Sequence, residues 1–212
     1  MRQLHFQHNY KEPFVKLFFV PFVAVAFLHL PVCFAQSQAW TLDGSHSSIN
    51  FAVDHMVISE TTGKFDRFEV AVKADRPDFV DAKFNATVHA NSINTFDAKR
   101  DEHLKAPDFF DVQKYPTITL EGKKFERQKN GQYKVYGKLT LHGVTKDVVW
   151  DAKFNGIVKD PWGGTRAGLK VTTVIDRYDY GLKYISVLES GGVAVGQEVR
   201  VSANFELVKK QI

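Results

Sequence analysis

A single cysteine, Cys33, occurs in the 212 residues, and it lies in a stretch expected to be removed. The chain that remains has no thiol, which excludes disulfide staples and thiolate chemistry as the basis of its fold or activity. Metal motifs are missing as well. Five histidines lie beyond residue 35 (His46, His55, His89, His103 and His142), and none stands at H-x-H or H-E-x-x-H spacing. Without those spacings or a cysteine partner no metal ligand set is signalled. There is no G-x-S-x-G elbow, no P-loop and no dinucleotide fingerprint, and Gly191-Gly192 is not followed by a helix that could cradle a phosphate. The net charge of +4 is mild, and Arg2, Lys11 and Lys16 against Glu12 account for half of it. The later basic residues alternate with acids, so no nucleic-acid footprint is present. The chain also lacks internal repeats and low-complexity linkers, and its length suits one β-rich domain. No metal, cofactor or nucleic-acid partner is expected.

No apolar run is long enough to cross a bilayer. The longest candidate, Leu17–Leu28, follows basic residues ending at Lys16. Twelve residues rise about 18 Å as helix, against a hydrocarbon core of roughly 30 Å. Pro31 and the small-residue exit Cys33-Phe34-Ala35 complete the order of a secretory signal peptide. Cleavage after Ala35 is expected, giving a leader over 1–35 and an exported, periplasmic chain from Gln36. Leu30-Pro31-Val32-Cys33 fits a lipoprotein site poorly, because Val32 stands where a small residue is needed.

What is present is alternation. From Trp40 on, apolar and polar residues follow a period of two, broken by turn signals, as half-buried antiparallel strands require. Apolar faces are carried by Trp40 and Leu42; by Ile49, Phe51 and Val53; and, after a polar break at Ser59–Gly63, by Phe68, Val70 and Val72. They continue through Ala82–Val88, Ile118 and Leu120, Tyr133–Leu141, Val148–Phe154, Leu169–Ile175 and Val199–Leu207. Turns are expected at Asp43-Gly44-Ser45, Pro77-Asp78, His142-Gly143 and Pro161–Gly164, with a type I′ hairpin turn at Asn130-Gly131. Eight or nine strands result, and pattern alone does not separate a barrel from a sandwich. Small residues among large ones (Ala82, Ala86, Ala152, Ala203) fit an incompletely filled interior and ordinary close packing equally well.

Asn94–Pro116 interrupts the pattern. It reads as a short helix capped by Asp97 and stopped at Ala106 by Pro107, with Phe109 and Phe110 left needing burial. The open end of the sheet is the place for them, so the insert is expected to close one end of a barrel. Asp101 and Glu102 point about 100° apart on a helix and do not converge on one substrate atom. They are read as solvated charges, with Arg100 and either acid free to contact neighbouring loops.

The run KRDEHLKAPDFFDVQKYPTITL, followed by GKLTLHGVTKDV, DPWGGTRAGL and YGLKYISVLESGGVAVGQEVRV, resembles the YceI-like family of exported proteins. The resemblance spans the domain assigned to residues 39–208, and only Val57–Lys64 is more polar than the family's version. It implies an all-β fold: an eight-stranded antiparallel barrel of extended lipocalin-like form, whose apolar channel holds a polyisoprenoid, a quinone-like molecule or another long amphiphile. It implies no catalytic residues. Alternation and position then mark Phe51, Val53, Phe68, Val88, Phe110, Leu120, Trp150, Leu169, Val171 and Phe205 as channel wall. Tyr180 and Tyr184, in the loop after Ile175, are expected to hydrogen-bond a polar headgroup at the mouth. The expected function is a periplasmic, non-enzymatic carrier or sequestering protein for an isoprenoid or other long-chain lipid, with a homodimer left open. Two alternatives stand beside it. One is an integral outer-membrane barrel, which the ending Lys-Lys-Gln-Ile argues against; the other is an accessory enzyme of isoprenoid or quinone metabolism.

Overall fold

The computed structural model describes residues 38–189 and 191–210, so the expected leader, with Cys33, lies outside the described residues. In chain order come β1 (Ala39–Leu42), β2 (Ser48–His55), β3 (Ser59–Phe65), β4 (Phe68–Lys73), β5 (Lys83–His89) and β6 (Ile93–Asn94). The helix α1 (Ala98–Lys105) follows, then β7 (Thr117–Arg127), β8 (Tyr133–Leu141), β9 (Val144–Lys159), β10 (Thr165–Asp176) and β11 (Val195–Lys209).

Eleven strands make eight staves, because three consecutive pairs each act as one bent strand. β1 pairs with β4 while β2 pairs with β3, and β4 pairs with β5 while β3 pairs with β6. Every ladder is antiparallel, running on through β5–β7, β7–β8, β8–β9, β9–β10 and β10–β11. β11 closes the ring on both halves of the first stave: Ala203 lies opposite Ile49, and Leu207 opposite Leu42. Closure leaves the staves without a free edge and gives the eight-stranded antiparallel barrel that the family resemblance implies.

The turn expected at Asp43-Gly44-Ser45 therefore bends a stave rather than reversing it. Asp43 accepts from Ser45 N at 3.0 Å, and Asp43 N donates to Glu206 O at 2.8 Å, so the chain stays on β11 through the bend. A second bend, at Asp66-Arg67, is bridged by Asp66 N to Ser92 O and His89 N to Arg67 O, each 3.0 Å. The segment read as a polar break is a strand. β3 runs from Ser59 to Phe65, and opposite β2 it sets Thr61 against Val53 and Gly63 against Phe51. Its inward face carries little apolar side chain because the Phe51 ring covers Gly63, where a Cβ would lie 2.4 Å from Phe51 Cζ. The burial is supplied by the partner strand.

Two hairpins exchange turn types relative to expectation. At Asn130-Gly131 only Gly131 has positive φ (82°), and Gln128 N bonds Gln132 O at 2.7 Å, giving a three-residue loop ending in a left-handed glycine. The two-residue turn with positive φ at both central positions is His142-Gly143, at 50° and 74°.

The apolar faces point inward, where Trp40, Val72, Val135, Trp150, Ala203 and Leu207 are all buried. The outer face carries cross-strand ion pairs such as Lys134–Asp151 (2.6 Å), Lys123–Asp147 (3.1 Å) and Arg200–Asp54 (2.7 Å). One end of the barrel is filled by Phe79, only 2% exposed, which meets Trp40 and Phe154 with ring centroids 5.1 and 4.9 Å apart. At the other end lie α1 and the long connection between β10 and β11.

Candidate functional site

α1 forms as the sequence dictates. Asp97 accepts from Lys99 N and Arg100 N, both at 3.0 Å, and Ala106 takes an extended ψ of 166° ahead of Pro107. Asp101 departs from its reading as a solvated charge. It accepts from Thr95 N at 2.8 Å and Thr95 Oγ1 at 2.6 Å, while Arg100 donates to Thr95 Oγ1 and Thr95 O, both at 2.7 Å. Thr95 is buried, so Arg100 and Asp101 pin the start of the helix to the barrel rim. Glu102 is exposed and pairs with Lys105 at 2.9 Å. Beyond the helix, Phe110 N bonds Leu104 O at 3.0 Å and Val112 N bonds Lys105 O at 3.2 Å; the chain folds back under α1 and turns Phe109 and Phe110 to the interior.

Inside the barrel lies a cavity of about 200 Å³. Its wall comes from the staves, its floor includes Phe79 and Ala82, and its roof is Leu104, Phe109 and Phe110 with Leu182. Nine of the expected wall residues line it: Phe51, Val53, Val88, Phe110, Leu120, Trp150, Leu169, Val171 and Phe205. Phe68 also faces inward, but it packs with Phe65, Val88 and Ile93 and against Phe205 (6.3 Å between centroids) without bordering the cavity.

The two tyrosines are not at the cavity. Gly181, with φ 78°, reverses the chain after a 3₁₀ turn at Arg177–Tyr180 and sends Leu182 inward instead. Tyr180 is buried among Leu139, Leu141 and Leu182, where burial, and then the charge of Asp179, pushes its phenol above its usual range. Tyr184 stacks on Phe109, with centroids 4.6 Å apart, and meets the edge of His103. The polar side chain that borders the cavity at this end is Arg177, 4% exposed, which sequence reasoning missed. A buried arginine leaves no mark on a two-residue alternation. Leu104 and Leu182 were also missed as lining residues, whereas Phe109 meets the interior as the insert's aromatic tail was expected to.

Asn50, the other polar residue at the wall, turns its amide to Ser48 Oγ at 3.1 Å. Trp150 Nε1 is buried with no partner among the described residues. The guanidinium of Arg177 donates to four backbone carbonyls: Gly196 O at 2.8 Å, Leu182 O at 2.5 Å, Tyr184 O at 2.8 Å and Val195 O at 3.1 Å. Burial draws its pKa below the ordinary arginine value.

Away from the cavity, Asp43, His46 and Glu206 bring ligand-type atoms within 4.8 Å of one another. The space between the acids is taken by Arg166, whose Nη1 lies 2.6 Å from each carboxylate. Hydrogen bonds from Ser45, then Arg166, hold the Asp43 carboxyl far below the usual carboxylate range. This cluster fastens the bend of the first stave to β10 and β11.

Residues 40–207 match the model of the YceI-like domain. A UPF0312 protein of Staphylococcus aureus (strain N315) is 40% identical over 168 residues, covering 79% of this chain and 95% of its own length. Among solved structures, the YceI protein of Campylobacter jejuni is 30% identical with a TM-score of 0.64, covering 81% of this chain and 98% of its own. Burkholderia cenocepacia BcnA shares the fold at 19% identity and a TM-score of 0.67, covering 78% and 98%. So does a structure described as a polyisoprenoid binding domain from Saccharophagus degradans, at 17% identity and a TM-score of 0.61, covering 82% and 99%. With the closed barrel, the helical insert over one end and a family match running nearly the whole length of the barrel, the chain belongs to the YceI-like family.

Proposed function

We propose that this chain is an exported, non-enzymatic binding protein that takes the apolar tail of an isoprenoid, quinone-like or other long amphiphilic lipid into its barrel, to carry or sequester it. The observation that carries this reading is the cavity, whose lining residues are aliphatic or aromatic apart from Asn50 and Arg177. Burying a tail there is worth about 0.8 kcal/mol per CH₂, offset by the cost of ordering it. A comparable apolar cavity of about 150 Å³ holds one benzene, so the space present takes about one or two isoprene units. A longer tail is accommodated by moving the roof residues Phe109, Phe110 and Leu182.

The relative from Saccharophagus degradans is described as polyisoprenoid binding, and the apolar wall supports the same chemistry here. Among the described residues the lining carries no carboxylate, imidazole, thiol or hydroxyl, which favours binding over turnover. Ion pairs across the outer face favour a barrel surrounded by water over one set in a bilayer. The leader expected over residues 1–35 is what suggests export to the periplasm; recovery in an osmotic-shock fraction, with a mature chain starting at Gln36, is the check.

Organic extraction of the protein purified from its own host, followed by mass spectrometry, tests the central claim. An amphiphile with a long apolar tail, near one per chain, is the expected result. An extract free of lipid, together with no uptake of an apolar fluorescent probe by the extracted protein, would overturn it.

A further inference from the structure

The exposed apolar side chains of the described residues are not spread evenly. Five of them, Met56, Val57, Ile58, Ile185 and Val187, stand on two neighbouring loops at the roof end of the barrel. Residues 56–58 are the tip of the β2–β3 hairpin, which reaches this end because His55 pairs with both Val195 and Ser59. Ile185 and Val187 belong to the β10–β11 connection, which forms a small hairpin of its own. Val187 bridges Val193, and Ala194 N bonds Ser186 O at 2.8 Å. The two hairpins touch: Met56 N donates to Ala194 O at 3.0 Å, and a Cβ on Gly192 would lie 3.5 Å from Val57 Cγ2.

The β2–β3 tip is built against local preference. Met56 and Val57 have positive φ, 51° and 65°, where glycine or asparagine is easily placed and a β-branched residue is strained. Val57 and Ile58 are nonetheless 75% and 86% exposed, so packing within the described residues does not account for the choice. Residues 56–59 and 184–188 carry no charge, so both loops can enter a headgroup layer without stripping a charge of water. Lys183 and Glu189, on either side of the second loop, are of opposite sign and give no preference for an anionic surface. The same connection carries Leu182, which roofs the cavity, and Tyr184, which stacks on the roof residue Phe109. A surface that grips these loops acts on the roof directly.

We propose that the two loops form a docking surface for a bilayer of zwitterionic lipid, set so that the roof opens against the membrane and an apolar tail passes between bilayer and cavity without crossing water. This rests on reading the cavity as a lipid site. A long-tailed amphiphile resides in membranes, so the end of the barrel that opens has to meet one. Val158 and Trp162 are exposed at the far end, but Lys159 and Asp160 lie between them, and the rings of Phe79, Trp40 and Phe154 fill the barrel behind.

The test loads lipid-extracted protein with diphenylhexatriene, a rod-shaped apolar probe, and mixes it in stopped flow with phosphatidylcholine vesicles. Loss of tryptophan-to-probe energy transfer reports release. A rate that rises in proportion to vesicle concentration is expected, whereas transfer through water is independent of it. Val57→Asn should lower the vesicle-dependent rate about fivefold, as partial burial of one apolar side chain implies. Its urea midpoint should be unchanged or raised, because asparagine suits the left-handed position; a role in folding alone predicts a lowered midpoint. Val187→Ser should also slow transfer, and Trp162→Ser, at the far end, should not. A rate independent of vesicle concentration, or one that Trp162→Ser lowers as much, sinks the docking surface and leaves the lipid reading standing. So does a rise seen only with phosphatidylglycerol present, or a sedimentation profile in which Val57→Asn turns a dimer into a monomer, since a second copy then covers the loops. Should the probe not enter a protein whose extract does hold lipid, cosedimentation with sucrose-loaded phosphatidylcholine vesicles, on the same variants, decides instead. If the protein takes up no probe and its extract holds no lipid, both readings fall.

Discussion

The two ends of the barrel are closed by different means. At one end Phe79 is 2% exposed against Trp40 and Phe154, rings that come from the strands and the short connection between them. At the other end the roof comes from segments outside the barrel ladders. The α1 segment is pinned through Thr95, and the β10–β11 connection is held around Arg177. Strand-borne closure is continuous with the hydrophobic core, so opening it means unfolding. The inserted segments are held by polar anchors at Thr95 and Arg177 and by their own apolar contacts, Tyr180 and Leu182 with Leu139 and Leu141 and Phe110 with Phe65. As packed segments outside the ladders, they are expected to open at smaller cost. On the proposed reading, entry of an apolar tail is expected beneath the helix, with Phe79 as the stop.

The largest expected effect tests the fixed end. Phe79→Ala should cost about 3–4 kcal/mol in urea unfolding, as removal of a fully buried aromatic does. Next, Asp101→Ala deprives the buried Thr95 N–H and hydroxyl of their acceptor, and about 2 kcal/mol should be lost. Hydrogen exchange should localise that loss to α1 and its flanks; a loss spread evenly over the strands would show that the roof does not open separately. Phe110→Ala should cost only about 1–2 kcal/mol, because Phe110 is half-buried beside existing space. It should also speed release of a bound apolar probe in stopped-flow measurements. A cost equal to that of Phe79→Ala would break the contrast between the ends.

The smallest effect concerns the cap. Asp97→Ala should raise exchange of the first α1 amides about fivefold and leave the strands unchanged. The Asp97 carboxyl is held below its usual range by the N–H of Arg100, then that of Lys99. A depressed folded-state pKa means that the cap contributes fully above the unfolded value of about 3.9 and is lost as pH falls through the folded value. The same amides in the unsubstituted protein should lose protection on acidification, measured by exchange at stepped pH.

Most strands were legible because a barrel with one wet face and one dry face imposes a period of two. The helix was legible because Asp97 and Pro107 bound it chemically. β3 was not, since its inward face is Thr61, Gly63 and Phe65 and its apolar cover comes from Phe51 on the partner strand. Asn130-Gly131 against His142-Gly143 shows a similar limit. Both pairs permit positive φ, and loop length decided which pair uses it at both positions. At the site, alternation found eight lining residues on the staves and the insert's need for burial found Phe110, while reading failed in the β10–β11 connection, where no period exists to read.

By itself the sequence determined the all-β class, the inward faces of most staves, the capped helix and the need to bury Phe109 and Phe110, because each follows from local periodicity or local backbone chemistry. Only the tertiary structure decided that eleven strands act as eight staves, that Phe79 fills the far end, and that Arg177 rather than Tyr180 or Tyr184 meets the cavity. Those outcomes depend on which distant segments share a space. For Arg177 they depend on four carbonyls that come together only when the connection folds around it.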